Sequence, residues 1–376
     1  MRPYLLFSFI AAVFVGVADA RDYVALLGTF TDGDSRGIYV VRLNGGTGEL
    51  SAPDLVAEMP NPEFLALHPS EPIVFALTQE RAADGKSSGA VAAFKVEPTS
   101  GQLTPLNRKS TGRGSLTHLA VDGTGNTVMA ASYGGGYAVS FPIEPGGGIG
   151  PPVSLLSLTG PNGPNSERQN GPHPHSVTIS PDSRFAFVAD LGLDRVFAFR
   201  LSAVDSSIVS HEPAFATIEP GAGPRHTAFS PDGKSFYVLN ELNGTITSCR
   251  YDAAGVVEPF QRVSTLPENF AGRNGTSEIR IHPNGEFVYA ANRGHNSIAV
   301  FLRDSDTGAL TPIEHVPCGG ESPRNFALTP DGTWLLCANQ NSNNLTVFRV
   351  HAKTGRLTAT PHTAKISKAV CVLFLP

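Results

Sequence analysis

Short apolar runs rich in β-branched and aromatic residues alternate with polar turn clusters along most of the chain. FYVLN is followed by TITSCRY, FVYAAN by SIAVFLR, and WLLCAN by LTVFRV, each pair separated by a few Asn, Gly and charged residues. Runs of this length and composition, bounded by Gly, Pro, Asn and Asp, predict β-strands joined in hairpins. No convincing helix emerges. One hairpin, GAGPRHTAFSPDGKSFYVLNELNG from Gly221 to Gly244, folds back at Ser-Pro-Asp-Gly, a sequence with turn-forming side chains. Its opening strand recurs. PHSVTISPD begins at Pro174, SEIRIHPNG at Ser277 and PRNFALTPDG at Pro323; looser copies are PEFLALHP from Pro62 and LTHLAVDG from Leu116.

With the turn proline, or Gly123 in its place, as a marker, the copies fall at 69, 123, 181, 231, 283 and 330. Two further strand-like runs follow each turn, so a unit holds about four short strands. Six units are complete and a seventh is split. YVALLGTF and GIYVVRL near the N-terminus lack an opening strand, and AVCVLFL at the C-terminus is an opening strand with nothing after it. Residues 22–376 divide by seven into units of about 51, close to the spacing of the markers. Radial repetition of four-stranded units predicts an all-β, seven-bladed β-propeller. Its last blade is closed by the N- and C-terminal strands, which removes the free sheet edges. Residues 21–376 read as one domain, and residues 160–171 (GPNGPNSERQNG) as a loop between two blades.

Residues 1–20 stand apart. Arg2, an apolar run from Leu5 to Val17 and Ala18-Asp19-Ala20 read as a secretory signal peptide cleaved after Ala20. The run is short for a membrane span, so export, periplasmic or extracellular, is expected, with no membrane association after cleavage. A net charge of −5 argues against a nucleic-acid partner. Cys249, Cys318, Cys337 and Cys371 match no zinc or redox spacing, and three of them lie inside apolar strands. They read as small core residues, with a Cys337–Cys371 bridge left open.

The hairpin from Gly221 carries charges at its free end: Arg225 lies six residues before its marker and Glu241 ten after. The two are neighbours across the hairpin, far from the turn. A propeller's first strand lines the central channel, so the positions six before each marker form a ring at one mouth: Glu63, Thr117, His175, Arg225, Ser277 and Arg324. The positions ten after lie just outside: Gln79, Tyr133, Leu191, Glu241, Arg293 and Gln340. An ion pair between Arg225 and Glu241 alone would not explain why Arg293 and Arg324 gather there too. Clustered guanidiniums in an acidic protein point to a pocket for an anion. His118 and His226, one position further along, are expected to point away from the ring; His68 and His282 lie in turns, and all four read as structural. His173 reads as a pocket wall or a plain loop residue. Asn240, Asn292 and Asn339 read as turn caps.

PHPHSVTISPD, GAGPRHTAFSPDGKSFYVLNEL, SEIRIHPNGEFVYAANRGHNSIAVF and SPRNFALTPDG resemble the seven-bladed propeller lactonases. That family contains the cycloisomerase-type 6-phosphogluconolactonases and the fungal 3-carboxy-cis,cis-muconate lactonizing enzyme. The likeness runs from Leu27-Gly28-Thr29-Phe30 to the C-terminal strand and is strongest over residues 173–347. It implies a site at the His of PHS, the Arg of GPRH, the Glu of NEL and the Arg of NRG: His175, Arg225, Glu241 and Arg293 here. The second and third units depart from the pattern, with Thr78-Gln79-Glu80 and Ser115-Leu116-Thr117. The signal peptide departs from the cytosolic members.

The expected chemistry is hydrolysis of a sugar or sugar-acid lactone. Arg225 and Arg293, with Arg324, Gln340 and His173, would hold an anionic substrate or its oxyanion. Either His175 or Glu241 would be the general base. Serine-nucleophile chemistry is not expected, and neither is a metal or other cofactor. Two other readings use the same mouth: a muconate-type lactonizing cycloisomerase, and a non-catalytic exported propeller that binds a ligand or protein.

Overall fold

The computed structural model describes residues 21–81 and 87–376. The signal-peptide expectation falls on residues 1–20, outside the described residues. Twenty-eight strands form seven four-stranded antiparallel sheets, with no helix among the described residues. Six blades are consecutive in the chain: residues 65–110, 118–157, 174–217, 224–264, 276–317 and 323–365, called blades 1 to 6. The seventh, closing blade joins Ala369–Phe374 to three strands from residues 23–58. In it Ala25 faces Phe374, Leu27 faces Val372 and Gly28 faces Cys371 across an antiparallel ladder. This is the seven-bladed propeller the repeat predicts, closed as predicted.

The burial pattern explains the sequence pattern. The second strands of blades 3 to 6, such as Phe185–Asp190 and Trp334–Asn339, are buried at every position, because neighbouring blades cover both faces. They therefore read as continuous apolar runs. Outermost strands such as Leu310–Pro317 are half exposed and carry polar residues among the apolar ones. Polar groups fasten blade to blade. The Tyr237 hydroxyl of blade 4 donates to Gly308 O in blade 5 (2.8 Å), and that of Tyr289 in blade 5 to Gly355 O in blade 6 (2.9 Å). His68 and His282 do the same work from their turns, their Nε2 atoms lying 3.0 and 3.1 Å from Gly125 O and Gly332 O. Gly125 and Gly332 have φ of +74° and +75°, and a Cβ on either would strike the imidazole above it, so glycine is required there.

The four cysteines are free and buried, which closes the open question of a Cys337–Cys371 bridge. Burial pushes the Cys371 thiol up to about 12.

Candidate active site

The ring begins with a backbone device. In blades 3, 4 and 6 the first strand is bulged at one residue, between Pro174 and Ser176, Pro224 and His226, and Pro323 and Asn325; in blade 5 the ladder skips from Thr276 to Ile279. The bulged residues are His175, Arg225 and Arg324, with Ser277 in the skip. A bulge places two consecutive residues opposite one partner, which breaks strict alternation and re-aims side chains. In these blades the ring positions face the mouth in this way, and His226, Glu278 and Asn325, which follow three of them, also face the channel.

That overturns one expectation. His118 and His226 do not point away from the channel. Their rings lie 5.1 Å apart although they belong to blades 2 and 4, and His226 lies 5.4 Å from the ring of His175 in blade 3. Strict alternation fails at the bulge, so His226 follows Arg225 into the channel rather than into the blade. Together with Glu278 and Asn325 they form a layer beneath the mouth. His226 Nδ1 lies 3.3 Å from Glu278 Oε1, and Asn325 Nδ2 donates to Glu278 Oε2. A cavity of about 490 Å³ continues below, lined by His118, His226, Glu278 and Arg280. Burial holds His226 down at about 4, against the pull of Glu278, so this layer contributes no imidazolium at neutral pH.

At the mouth, Glu241 is the hub. Its side chain is 5% exposed and meets three guanidiniums. Oε1 accepts from Arg168 Nη2 (2.7 Å); Oε2 lies 3.0 Å from Arg225 Nε and 2.9 Å from Arg293 Nη2. Burial alone would raise the Glu241 carboxyl, but Arg293, Arg225 and Arg168 together outweigh it and hold it at about 2. Arg225 is the costly partner: burial, then repulsion from Arg293 and Arg324, push it well below the ordinary arginine value, and Glu241 opposes them. A guanidinium nonetheless keeps its proton in proteins, so the cluster is charged. Arg225 Nη1 also donates to Ser277 O. Arg293 is oriented by Gly275 O and Thr276 O (3.2 and 3.0 Å). Its Nη2 would sit 3.0 Å from a Cβ at position 275, tight enough to favour glycine there.

His175 is buried and neutral, held well below its ordinary value first by burial and then by Arg225. Nε2 lies 4.0 Å from Glu241 Oε2, and Nδ1 has no hydrogen-bond partner among the described residues. Arg324 is partly buried, over the ring of Phe30 at 5.1 Å, with Nη1 donating to Gln340 Oε1 at 3.4 Å. No carboxylate of the described residues lies within ion-pair distance of it. Burial and then Arg293 lower it to about 10.

His175, Arg225, Glu241, Arg293, Arg324 and Gln340 thus share one mouth. His173 stands at its wall with both ring nitrogens engaged, Nδ1 at 3.0 Å from Tyr133 O and Nε2 at 2.9 Å from Asn170 Oδ1, and its ring stacked on Tyr133. Asn240 donates to Thr247 Oγ1 within its own blade, whereas Asn292 and Asn339 donate to Thr265 O and Cys318 O in the segments that lead in from the preceding blade. The residue that counting missed is Arg168. It lies in the 160–171 segment, which is more than a connector: it lays a guanidinium against Glu241 and the Tyr133 hydroxyl (3.3 Å). It has no equivalent in other units, so no repeat marks it.

A family model described as lactonase, 7-bladed beta-propeller, matches residues 24–374. The chain belongs to the seven-bladed β-propeller lactonase family. It is 36% identical to the Bacillus subtilis protein named 6-phosphogluconolactonase, over 94% of this chain and 98% of that one. It is 31% identical to a Formosa agariphila protein of the same name, over 80% and 85%. The structure of the Pseudomonas aeruginosa periplasmic gluconolactonase superposes with a TM-score of 0.88 at 30% identity, covering 95% of this chain and 99% of that one. The resemblance read from the second-half motifs therefore extends over the whole propeller.

Proposed function

We propose that this propeller lactonase hydrolyses the lactone of a sugar acid, with the arginine mouth as its active site. The observation that carries the reading is the charge arrangement. Three guanidiniums share one carboxylate, and a fourth, Arg324, has no carboxylate within ion-pair distance among the described residues. Such a mouth is completed by an anion, whether a substituent of the substrate or the oxyanion that forms at the lactone carbonyl. Glu241, with both oxygens engaged and its proton lost down to about pH 2, serves to hold Arg168, Arg225 and Arg293 in place and is a poor general base. His175, neutral and with no partner for Nδ1 among the described residues, is suited to hydrogen-bond the substrate. No group of three or more His, Cys, Asp or Glu that could hold a metal occurs among the described residues, and the proposed hydrolysis uses none.

The signal-like N-terminus and the likeness to a periplasmic gluconolactonase support action outside the cytoplasm, where sugar lactones without phosphate are the accessible substrates. The test is acid release by residues 21–376 from gluconolactone, 6-phosphogluconolactone and a muconolactone, above the spontaneous rate, with and without chelator. Turnover of a sugar lactone, unchanged by chelator, is expected. Turnover of the muconolactone alone would favour the cycloisomerase reading, and none on any substrate a binding propeller.

Arg168→Met is expected to lower kcat/KM about tenfold, through a less firmly held Glu241. Its side chain is 43% exposed, so the cost in stability should stay below about 1 kcal/mol in a denaturant titration.

A further inference from the structure

Ester hydrolysis needs a group that takes a proton from water and returns one to the leaving oxygen. Neither residue first considered for this fits. Glu241 is caged as an anion, and His175 is too weak a base once buried among guanidiniums. One further carboxylate belongs to the ring. Glu63 stands at the start of blade 1, six residues before its turn, and is partly buried. The adjacent Phe64 packs its ring at a tilt against that of His118 of blade 2, centroids 3.9 Å apart, and Leu77 N donates to Phe64 O (3.0 Å), which fixes the backbone beside it. Asn61, whose carbonyl accepts from Glu63 N (2.8 Å), is itself held by Thr31. Unlike Glu241, Glu63 forms no ion pair or side-chain hydrogen bond with any described residue.

Thr31, which holds Asn61, follows Phe30, and Arg324 of blade 6 lies over the Phe30 ring at 5.1 Å, so this guanidinium stands by the same segment; Arg225 of blade 4 acts on Glu63 less strongly. The titratable groups on the elements beside it are His118, neutral by burial, and Cys371 of the closing blade, held as a thiol. Burial pushes the Glu63 carboxyl up to about 7, against the pull of Arg324 and Arg225. A carboxyl in that range is matched to acid–base work at neutral pH.

We propose that Glu63 is the proton-transferring catalytic residue of the lactone hydrolysis, acting beside the anion held by Arg324. The inference rests on the hydrolase reading above. The Glu63 carboxylate takes a proton from water as the water oxygen bonds to the lactone carbonyl carbon. The carbonyl oxygen becomes an oxyanion facing the guanidiniums. The ring C–O bond then breaks, and the Glu63 carboxylic acid gives its proton to the departing alkoxide. The products are a hydroxyl and a carboxylic acid, which ionises in solution, and Glu63 is again a carboxylate.

The experiment is the pH dependence of kcat/KM between pH 5 and 8 for the 21–376 protein, Glu63→Gln and Glu63→Asp, on the sugar lactone the wild type turns over. Thermal unfolding confirms that each variant is folded. The wild type should lose activity as pH falls through about 7, where the base takes up its proton. Glu63→Gln should be slower by about 100-fold or more and lack that limb, whereas Glu63→Asp should keep it with part of the rate. A folded Glu63→Gln protein that keeps either the wild-type rate or the wild-type limb overturns the assignment and leaves the hydrolase reading intact. A wild type inactive on every lactone overturns both.

Discussion

Glu241→Gln is expected to reduce lactone turnover by at least about 100-fold and to destabilise the fold by about 3 kcal/mol at pH 7. The glutamine is nearly isosteric but carries no charge, so Arg168, Arg225 and Arg293 lose their shared counter-ion. Arg225 suffers most, because its side chain is 3% exposed and Arg293 and Arg324 already repel it. Leaving one member of a buried pair without its partner typically costs about 3–5 kcal/mol. The carboxyl's own titration agrees in size: about 2 in the fold against 4.5 ordinarily corresponds to about 3 kcal/mol. The sign follows from the depressed value. The stabilisation is complete above about pH 4.5 and disappears as pH falls towards 2. Urea titrations of wild type and variant should therefore differ by about 3 kcal/mol at neutral pH and converge in acid. A difference independent of pH would show that the arginines are held by something other than this carboxylate.

Truncation after Lys368 is expected to abolish cooperative folding. The lost strand, Ala369–Phe374, supplies the inner strand of the closing blade. Val370, Cys371, Val372, Phe374 and Leu375 are each no more than 8% exposed, and Val372 N donates to Asn325 Oδ1 in blade 6 (2.8 Å). Burying large apolar side chains contributes about 1.5–3 kcal/mol each, so the strand accounts for roughly 10 kcal/mol, comparable with the whole stability of a typical domain. Removal also bares the edge of Tyr23–Thr29, an apolar strand prone to pair with other chains. Loss of the cooperative thermal transition, with aggregation, is the expected result; a soluble protein melting near the wild-type temperature would contradict it.

The two cases depend on the sequence differently. The closing strand was legible because it is local. AVCVLFL has the composition of an opening strand, and the period of the turn prolines shows that one unit lacks its own. The ring was legible for the same reason: counting from a turn fixes which residues lie at one end of each hairpin, so Arg225, Glu241, Arg293 and Arg324 fall together without any knowledge of the contacts between them.

Other features were not legible, and they share a cause. The direction of His226 depended on a bulge at Arg225, and a shift of one residue sends a strand side chain to the other face. Nothing in PRHTAF marks that bulge. Arg168 sits in an unrepeated segment among Gly, Pro and Asn, and only the path of that loop brings it to a carboxylate 73 residues away. Glu63 was visible in the ring, but its difference from Glu241 was not, because the two share an ordinary pKa and diverge only through burial and the number of guanidiniums facing each. The sequence by itself determined the blades, their closure and which hairpin ends line the mouth, because hydrophobic period and turn chemistry act over a few residues. The tertiary structure decided which side chains face the axis and which carboxylate is caged by guanidiniums. Those outcomes depend on burial and on charges brought together from separate blades.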